Sequence, residues 1–201
     1  MSKGAKIGVG VVVVLIVLIL VAITGIKNMY NGFVQLDETV NQTWAQVQNV
    51  YQRRFDLIPN LVETVKGYAA HESQTLQAVT EARSRVGGVT NLKAEDLTPE
   101  NLARFQQAQA GLSGALQRLM VVVERYPDLK ANQNFIRLQD ELAGTENRIA
   151  VERRRFNEAV QAYNSVIRRF PQTLFAGMFG FEKKVYFEAA QDAQQAPKVE
   201  F

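Results

Sequence analysis

FVQLDETVNQTWAQVQNVYQRRFDLIPNLVETV, residues 33–65, carries the pattern that decides the fold. Phe33, Val40, Val47 and Leu61, continued by Tyr68, recur at sevens or multiples of seven. Trp44, Tyr51, Ile58 and Val65 form a companion row four residues on, extended by Val79 and Val86. Two such rows make one apolar seam of the a/d kind along a helix, as in a coiled coil, and leave Gln, Asn, Glu and Arg for the other faces. The pattern predicts one long helix, or two in line. Pro59 stands inside it with no N–H to donate and its ring against the carbonyl of Phe55, so a kink or break is expected near Leu57. Gly87-Gly88 ends the run, and residues 89–97 read as a loop.

Downstream, the helical period resumes twice. Thr98 is a good N-cap and Pro99 suits the first helical position, opening a helix whose apolar face is Leu102, Phe105, Leu112, Leu116, Leu119 and Val123 before Tyr126-Pro127 stops it. The next begins near Asn132 and carries Phe135, Leu138, Leu142, Ile149, Phe156, Val160, Tyr163 and Ile167, ending at Phe170-Pro171. No strand alternation competes. The expected fold is all-α: an antiparallel up-and-down bundle over residues 27–171 with three long helices, or four if the chain breaks at Pro59 or the tail completes it.

Upstream of the seam, residues 7–26 read IGVGVVVVLIVLILVAITGI. About 20 residues at about 1.5 Å each match the roughly 30 Å of bilayer hydrocarbon. A Val-rich segment is a poor helix in water, but lipid requires every backbone group to bond internally, so a spanning helix follows. It is apolar except for Thr24, whose hydroxyl can bond back to a backbone carbonyl. The stretch exceeds a signal-peptide core, and Ala22-Ile23-Thr24 is a weak cleavage site, so an uncleaved anchor behind a short flank of residues 1–6 is expected. Lys3 and Lys6 precede the span and Lys27 alone follows it, which places the amino terminus inside and the bundle outside the cytoplasm. Gly4 and Gly8 form a G-x-x-x-G pair that begins outside the apolar core.

The tail, residues 172–201, differs in composition. Aromatic residues alternate with glycines around Phe175, Met178, Phe179 and Phe181, followed by Lys183 and Lys184 and a polar end rich in Gln and Ala. Two readings stand: the aromatics complete the core or a subunit contact, or they enter the headgroup boundary with the lysines beside them.

Composition removes several chemistries. With no Cys and a single His in 201 residues, disulfides, thiolate catalysis and Cys- or His-built metal sites have no ligands. The net charge of +3 and sequence pI near 9.2 are too slight and dispersed to call for nucleic acid. His71-Glu72 resembles half of a metalloprotease helix motif, but the position four residues after His71 is Thr75. Arg153, Arg154 and Arg155 lie close to Glu152 and Glu158 and read as an ion-paired surface. Glu124, in an apolar run, is expected to reach solvent or an Arg. No cofactor, catalytic residue or small-molecule substrate is expected.

Three blocks carry a family resemblance: WAQVQNVYQRRFDLIPNLVETVKGYAAHE (residues 44–72), ERYPDLKAN (residues 124–132) and NFIRLQDELAGTENRIAVERRRFNEAVQAYNSVIRRFP (residues 134–171). Together with the amino-terminal span, they closely resemble the LemA family of bacterial membrane proteins. The resemblance implies a single-pass anchor and a compact helical bundle, usually of four helices, with no established enzymatic activity. Some relatives belong to magnetosome-building sets, which points to scaffolding or membrane shaping. The family is often described with its short amino terminus outside, opposite to the lysine count. Among matching positions, Asn60, His71, Glu72, Glu141, Glu146, Asn147, Arg154 and Asn164 are expected to bond between helices or to form a partner surface.

The expected function is therefore a membrane-anchored, self-associating scaffold of the bacterial inner membrane, with the bilayer, further copies and other envelope proteins as partners. The alternative is a lipid-binding or membrane-remodelling module acting through the aromatic tail. An enzyme built on His71 and Glu72 is the remaining, least supported reading.

Overall fold

The computed structural model describes residues 3–89 and 92–188, so the polar end of the tail lies outside the described residues. Every regular element among them is helical: α1 Lys3–Lys66, α2 Ser73–Gly87, a 3-10 turn at Ala94–Asp96, α3 Pro99–Val123, the single turn α4 Pro127–Lys130, α5 Gln133–Ile167 and α6 Gln172–Met178. They fall into two compact units, one within Met1–Thr39 and Gln161–Lys183, the other within Val40–Val160 and Lys184–Phe201.

The larger unit is a four-helix bundle. The rings of Trp44, Phe105 and Phe156 meet near one end, with Trp44 5.6 Å from Phe105 and 5.5 Å from Phe156. At the other end the Asn132 amide donates to the Tyr68 hydroxyl at 2.8 Å. Those contacts fix directions: α1 and α3 run one way and α5 the other. Arg83, late in α2, returns to Phe55, so α2 runs back along α1. The order is up, down, up, down. Both seam rows of α1 are buried here, from Val40 and Trp44 through Ile58 and Leu61 to Val65. Val79 and Val86 face the same core from α2, and Leu112, Leu119 and Leu142 fill it from α3 and α5.

Local chemistry sets the helix limits. Thr98 caps α3 by accepting the Asn101 N–H at 3.2 Å, with Pro99 at the first position as expected. Asn132 opens α5 by accepting the N–H groups of Asn134 and Phe135 at 2.9 and 3.0 Å. Thr24 donates to the carbonyl of Leu20 at 2.8 Å, which satisfies its hydroxyl inside the apolar stretch.

Of the kink or break expected near Leu57, the break does not occur. α1 continues through Pro59 to Lys66, and the bend that creates the fourth helix lies in residues 67–72, where Tyr68 N–H bonds to Val65 and Glu72 N–H to Ala69. Neither Pro59 nor the tail supplies that helix. The reason is visible at Phe55, whose carbonyl would have accepted the N–H that Pro59 lacks. The Arg83 guanidinium lies 3.8 Å over the Phe55 ring and donates from Nε to that carbonyl at 3.3 Å. The orphaned acceptor is thus satisfied from α2, and the proline ring is left facing solvent. This arrangement predicts coupling between two residues 24 positions apart in sequence. Arg83→Ala should lower the stability of the full chain in micelles, and Pro59→Ala should reduce that loss by about 1 kcal/mol, the net worth of the carbonyl bond. Thermal melts of the four proteins of the cycle measure it, and additive effects would exclude the bond.

Candidate functional site

Within the bundle, the central feature is a buried arginine. Arg54, only 2% exposed, lies among α1, α3 and α5. Its Nη1 donates to Glu146 Oε1 at 2.7 Å and to Ser113 Oγ at 3.1 Å, while Nη2 donates to Gln109 Oε1. The guanidinium also sits 5.2 Å from the Tyr51 ring centre. Glu146 keeps 43% of its side chain exposed, so the pair is buried on one side and hydrated on the other. Burial pushes the Tyr51 phenol above its usual range, against the pull of Arg153 and Arg54. Among the described residues, Arg54 Nε and Gln109 Nε2 find no partner. The site therefore holds three helices in register at an electrostatic cost.

The outer face of the same helices forms a shallow polar groove. Arg53 and Glu141 pair across it at 3.8 Å. One side is lined by Gln52, Arg53, Asp56 and Asn60 of α1, and a depression of about 280 Å³ continues along Arg137, Asp140, Thr145 and Arg148 of α5. Of the polar positions singled out in the sequence, Asn60 and Glu141 meet here. Glu146 serves Arg54. Glu72 accepts from the Tyr126 hydroxyl at 3.1 Å and pairs with Arg125 at 3.0 Å, tying the α1–α2 bend to the end of α3. His71 and Asn147 are exposed, and Arg154 pairs with Glu158 at 3.8 Å along its own helix. Arg155 pairs with Glu152 at 2.7 Å, and Glu124 reaches solvent as expected, its carboxylate meeting Lys130 at 2.5 Å. Asn164 is buried in the other unit.

Residues 184–188 lie on the bundle as a strap. Phe187 is buried, stacked 5.9 Å from Trp44 and edge-on to Phe156 at 5.4 Å. The Asn157 side chain both donates to the Phe187 carbonyl at 3.0 Å and accepts its N–H at 2.9 Å. Arg153 covers the ring at 4.7 Å and donates to the Glu188 carbonyl at 3.1 Å. Nothing in the spacing distinguished Asn157 and Arg153 as the residues that hold this strap. Phe187, an aromatic residue after a glycine-rich stretch, was the available signal.

The smaller unit contains the apolar stretch of α1 and the start of the tail. Tyr30 and Phe33, just past that stretch, receive the rings of the tail: Phe179 at 5.1 Å and Phe181 at 5.8 Å from Tyr30, and Phe181 at 5.3 Å from Phe33. Gly180, at φ +77°, makes this possible. It closes α6 in a Schellman turn, with the Phe181 N–H bonded to Ala176 at 2.9 Å and the Gly180 N–H to Gly177 at 3.4 Å. Phe175 stacks on Phe179 at 6.4 Å, whereas Met178 and Lys183 face outward and Lys184 is half-buried. The tail aromatics thus divide between packing on the chain and exposure.

Two outcomes follow. Arg54→Ala should cost about 2–4 kcal/mol by leaving a cavity and an unpaired Gln109, and Arg54→Met with Gln109→Leu should recover most of that loss. Denaturant unfolding decides, and a double variant no more stable than Arg54→Ala would remove the network from the account. In the smaller unit, burial, then the carboxylates of Asp37 and Glu182, push the Tyr163 phenol up to about 12. Because the folded value lies above the unfolded value of 10.0, Tyr163 contributes stability that is fully present below pH 10 and is lost as the pH rises toward 12. A tyrosinate absorbance titration should therefore lose its latest component in Tyr163→Phe.

Comparison with known proteins adds kinship. The model of the LemA family matches residues 43–201. Magnetosome protein MamQ of Magnetospirillum gryphiswaldense is 28% identical over 184 residues, 82% of this chain and 66% of that protein. Magnetosome protein MamQ 2 of Paramagnetospirillum magneticum is 28% identical over 175 residues, covering 79% and 64%. Protein LemA of Metamycoplasma hominis is 23% identical over 161 residues, covering 80% and 69%. The chain spans slightly under two thirds of the length of the two magnetosome relatives. An apolar helix of spanning length together with this kinship marks a membrane-associated protein. Since the family match runs from Thr43, beside the buried Trp44, through all four bundle helices, the protein belongs to the LemA family.

Proposed function

We propose that the chain is a single-pass scaffold of the bacterial inner membrane that self-associates and offers its bundle to other envelope proteins, with no catalytic chemistry of its own. The observation that carries this reading is α1 itself. One helix of 64 residues contains both a stretch apolar enough to cross a bilayer and the first stave of the bundle. The polar side chains that could have formed a reaction centre support it further, since Arg54, Glu72 and Glu146 are committed to joining helices. The partner surface is the groove of Arg53, Asn60 and Glu141, where charges of both signs lie within reach of solvent. The likeness to magnetosome proteins is consistent with a role at a membrane.

Self-association needs a surface other than the seam. Val40, Val47, Ile58 and Val65 are all buried within the chain, so the seam of the first helix is already covered. The contact between copies is therefore assigned to the span or to the outer polar faces.

Sedimentation of the full chain in micelles, with the detergent density-matched, should give a mass above the 22.5 kDa of one copy. A single-copy mass at all concentrations would overturn self-association. For topology, Gln139→Cys introduces the only thiol, on an exposed position of α5. An impermeant maleimide should label it in intact cells whose outer membrane has been permeabilised. Labelling only after lysis would place the bundle in the cytoplasm and reverse the lysine argument.

A further inference from the structure

We propose that α6 is a second, shallow membrane contact, lying in the headgroup boundary on the side where α1 leaves the bilayer and immersing Phe170, Leu174 and Met178. The inference rests on the reading of the apolar stretch as a span and adds a surface to it. These three side chains are 80%, 60% and 73% exposed, as open as the span, where Leu18 is 59% exposed and Leu20 58%. Leu174 and Met178 are four residues apart on α6 and share a face, while Ala176 is buried on the opposite side. A large apolar side chain left open on a helix of about two turns gains nothing in water.

The depth of α6 follows from its own contacts. The Phe179 ring, next in sequence to Met178, lies 5.1 Å from the ring of Tyr30. Tyr30 is four residues past Ile26, the end of the apolar stretch, or about 6 Å along the helix. That distance falls in the interfacial layer that separates the roughly 30 Å hydrocarbon core from the full 40–45 Å of the bilayer. Aromatic rings concentrate at that level, where an apolar body and a polar edge are both accommodated. The Schellman turn at Gly180 fixes α6 there by directing Phe181 onto Phe33.

Charge agrees with the same occupant. Arg168 and Arg169 precede Phe170, and Glu182 and Lys183 follow Phe181; all four are exposed, and the three cations outnumber the one carboxylate. An apolar face flanked by cations matches the junction of acyl chains with anionic headgroups. A water-soluble partner protein would have to cover this face while remaining at interfacial depth beside the span. Lipid meets both conditions without further contacts.

The absence of native cysteine allows a direct depth measurement on the full chain. Nitroxide labels are placed one at a time at Leu18→Cys, Glu38→Cys, Leu174→Cys and Met178→Cys, in vesicles of phosphatidylcholine with phosphatidylglycerol. Collision with oxygen and with a water-soluble nickel chelate is read for each. Positions 174 and 178 should favour oxygen over nickel, at depths of about 5–10 Å into the headgroup–acyl boundary. Glu38, exposed and about 18 Å along the helix past Ile26, supplies the aqueous reference. Nickel accessibility at 174 and 178 equal to that at 38 would overturn the proposal while a deep Leu18 label left the anchor intact. Low collision with both reagents would also overturn it, since that result means burial against protein. A water-accessible Leu18 label would instead remove the span itself.

Discussion

The guanidinium of Arg54 fixes which residues of the bundle may face one another. An apolar seam repeating every seven residues tolerates a slide of one heptad, because the same kinds of side chain meet again. The buried cation does not. Moving α5 by one heptad along α1 would take Glu146 about 10 Å from Arg54 and leave a charge in the core without its counter-ion. The same shift in α3 would separate it from Gln109 and Ser113. Since two buried N–H positions nearby lack partners among the described residues, the network is poorly designed for maximal stability. Its value lies in excluding alternative registers.

A second polar contact explains why the first helix is so long. Proline inside a helix removes one donor and crowds the carbonyl a turn earlier, and a break there would have separated the apolar stretch of α1 from the segment carrying Leu61 and Val65. Arg83 reaches that carbonyl because α2 turns back at residues 67–72, so the folding-back of α2 supports the continuity of α1. Tertiary structure here repairs a local defect, and the repair comes from a residue that no short-range rule connects to Pro59.

That contrast marks how far the sequence could be read. The seam of Phe33, Val40, Trp44 and Tyr51, the Thr98 cap and the start at Asn132 were legible because periodicity and capping act within a few residues. The position of the bend was not, because Gly67 and the residues after it carry a weaker stop signal than Pro59 and the outcome depended on Arg83. Glu146 and Asn60 were visible as polar residues on apolar helices, yet their partners Arg54 and the groove around Arg53 emerge only when α5 lies beside α1. Asn157 carried no sign of its partner until the strap of Phe187 reached it. Gly180, by contrast, is explained by a single backbone angle.

The mean hydropathy of -0.13 conceals a division of the surface. Among described residues of the larger unit, large exposed apolar side chains are scattered, as at Tyr68, Val121, Ile136 and Tyr186. In the smaller unit they run continuously from Val11 to Val21 and recur at Phe170, Leu174 and Met178. Scattered apolar groups are ordinary on a protein in water, whereas continuous ones imply a different solvent. Helical backbone bonding serves equally well in either solvent, which lets one uninterrupted helix pass from one composition to the other. The transition falls between Ile26 and Phe33, where side chains change from open to buried and where the tail returns its aromatic rings. Phe179 and Phe181 pack at that level against the first helix, while Phe187, further along the tail, goes to the bundle core. On the proposed reading of the apolar stretch as a span, the span and the start of the tail share one physical task, the placement of a membrane boundary.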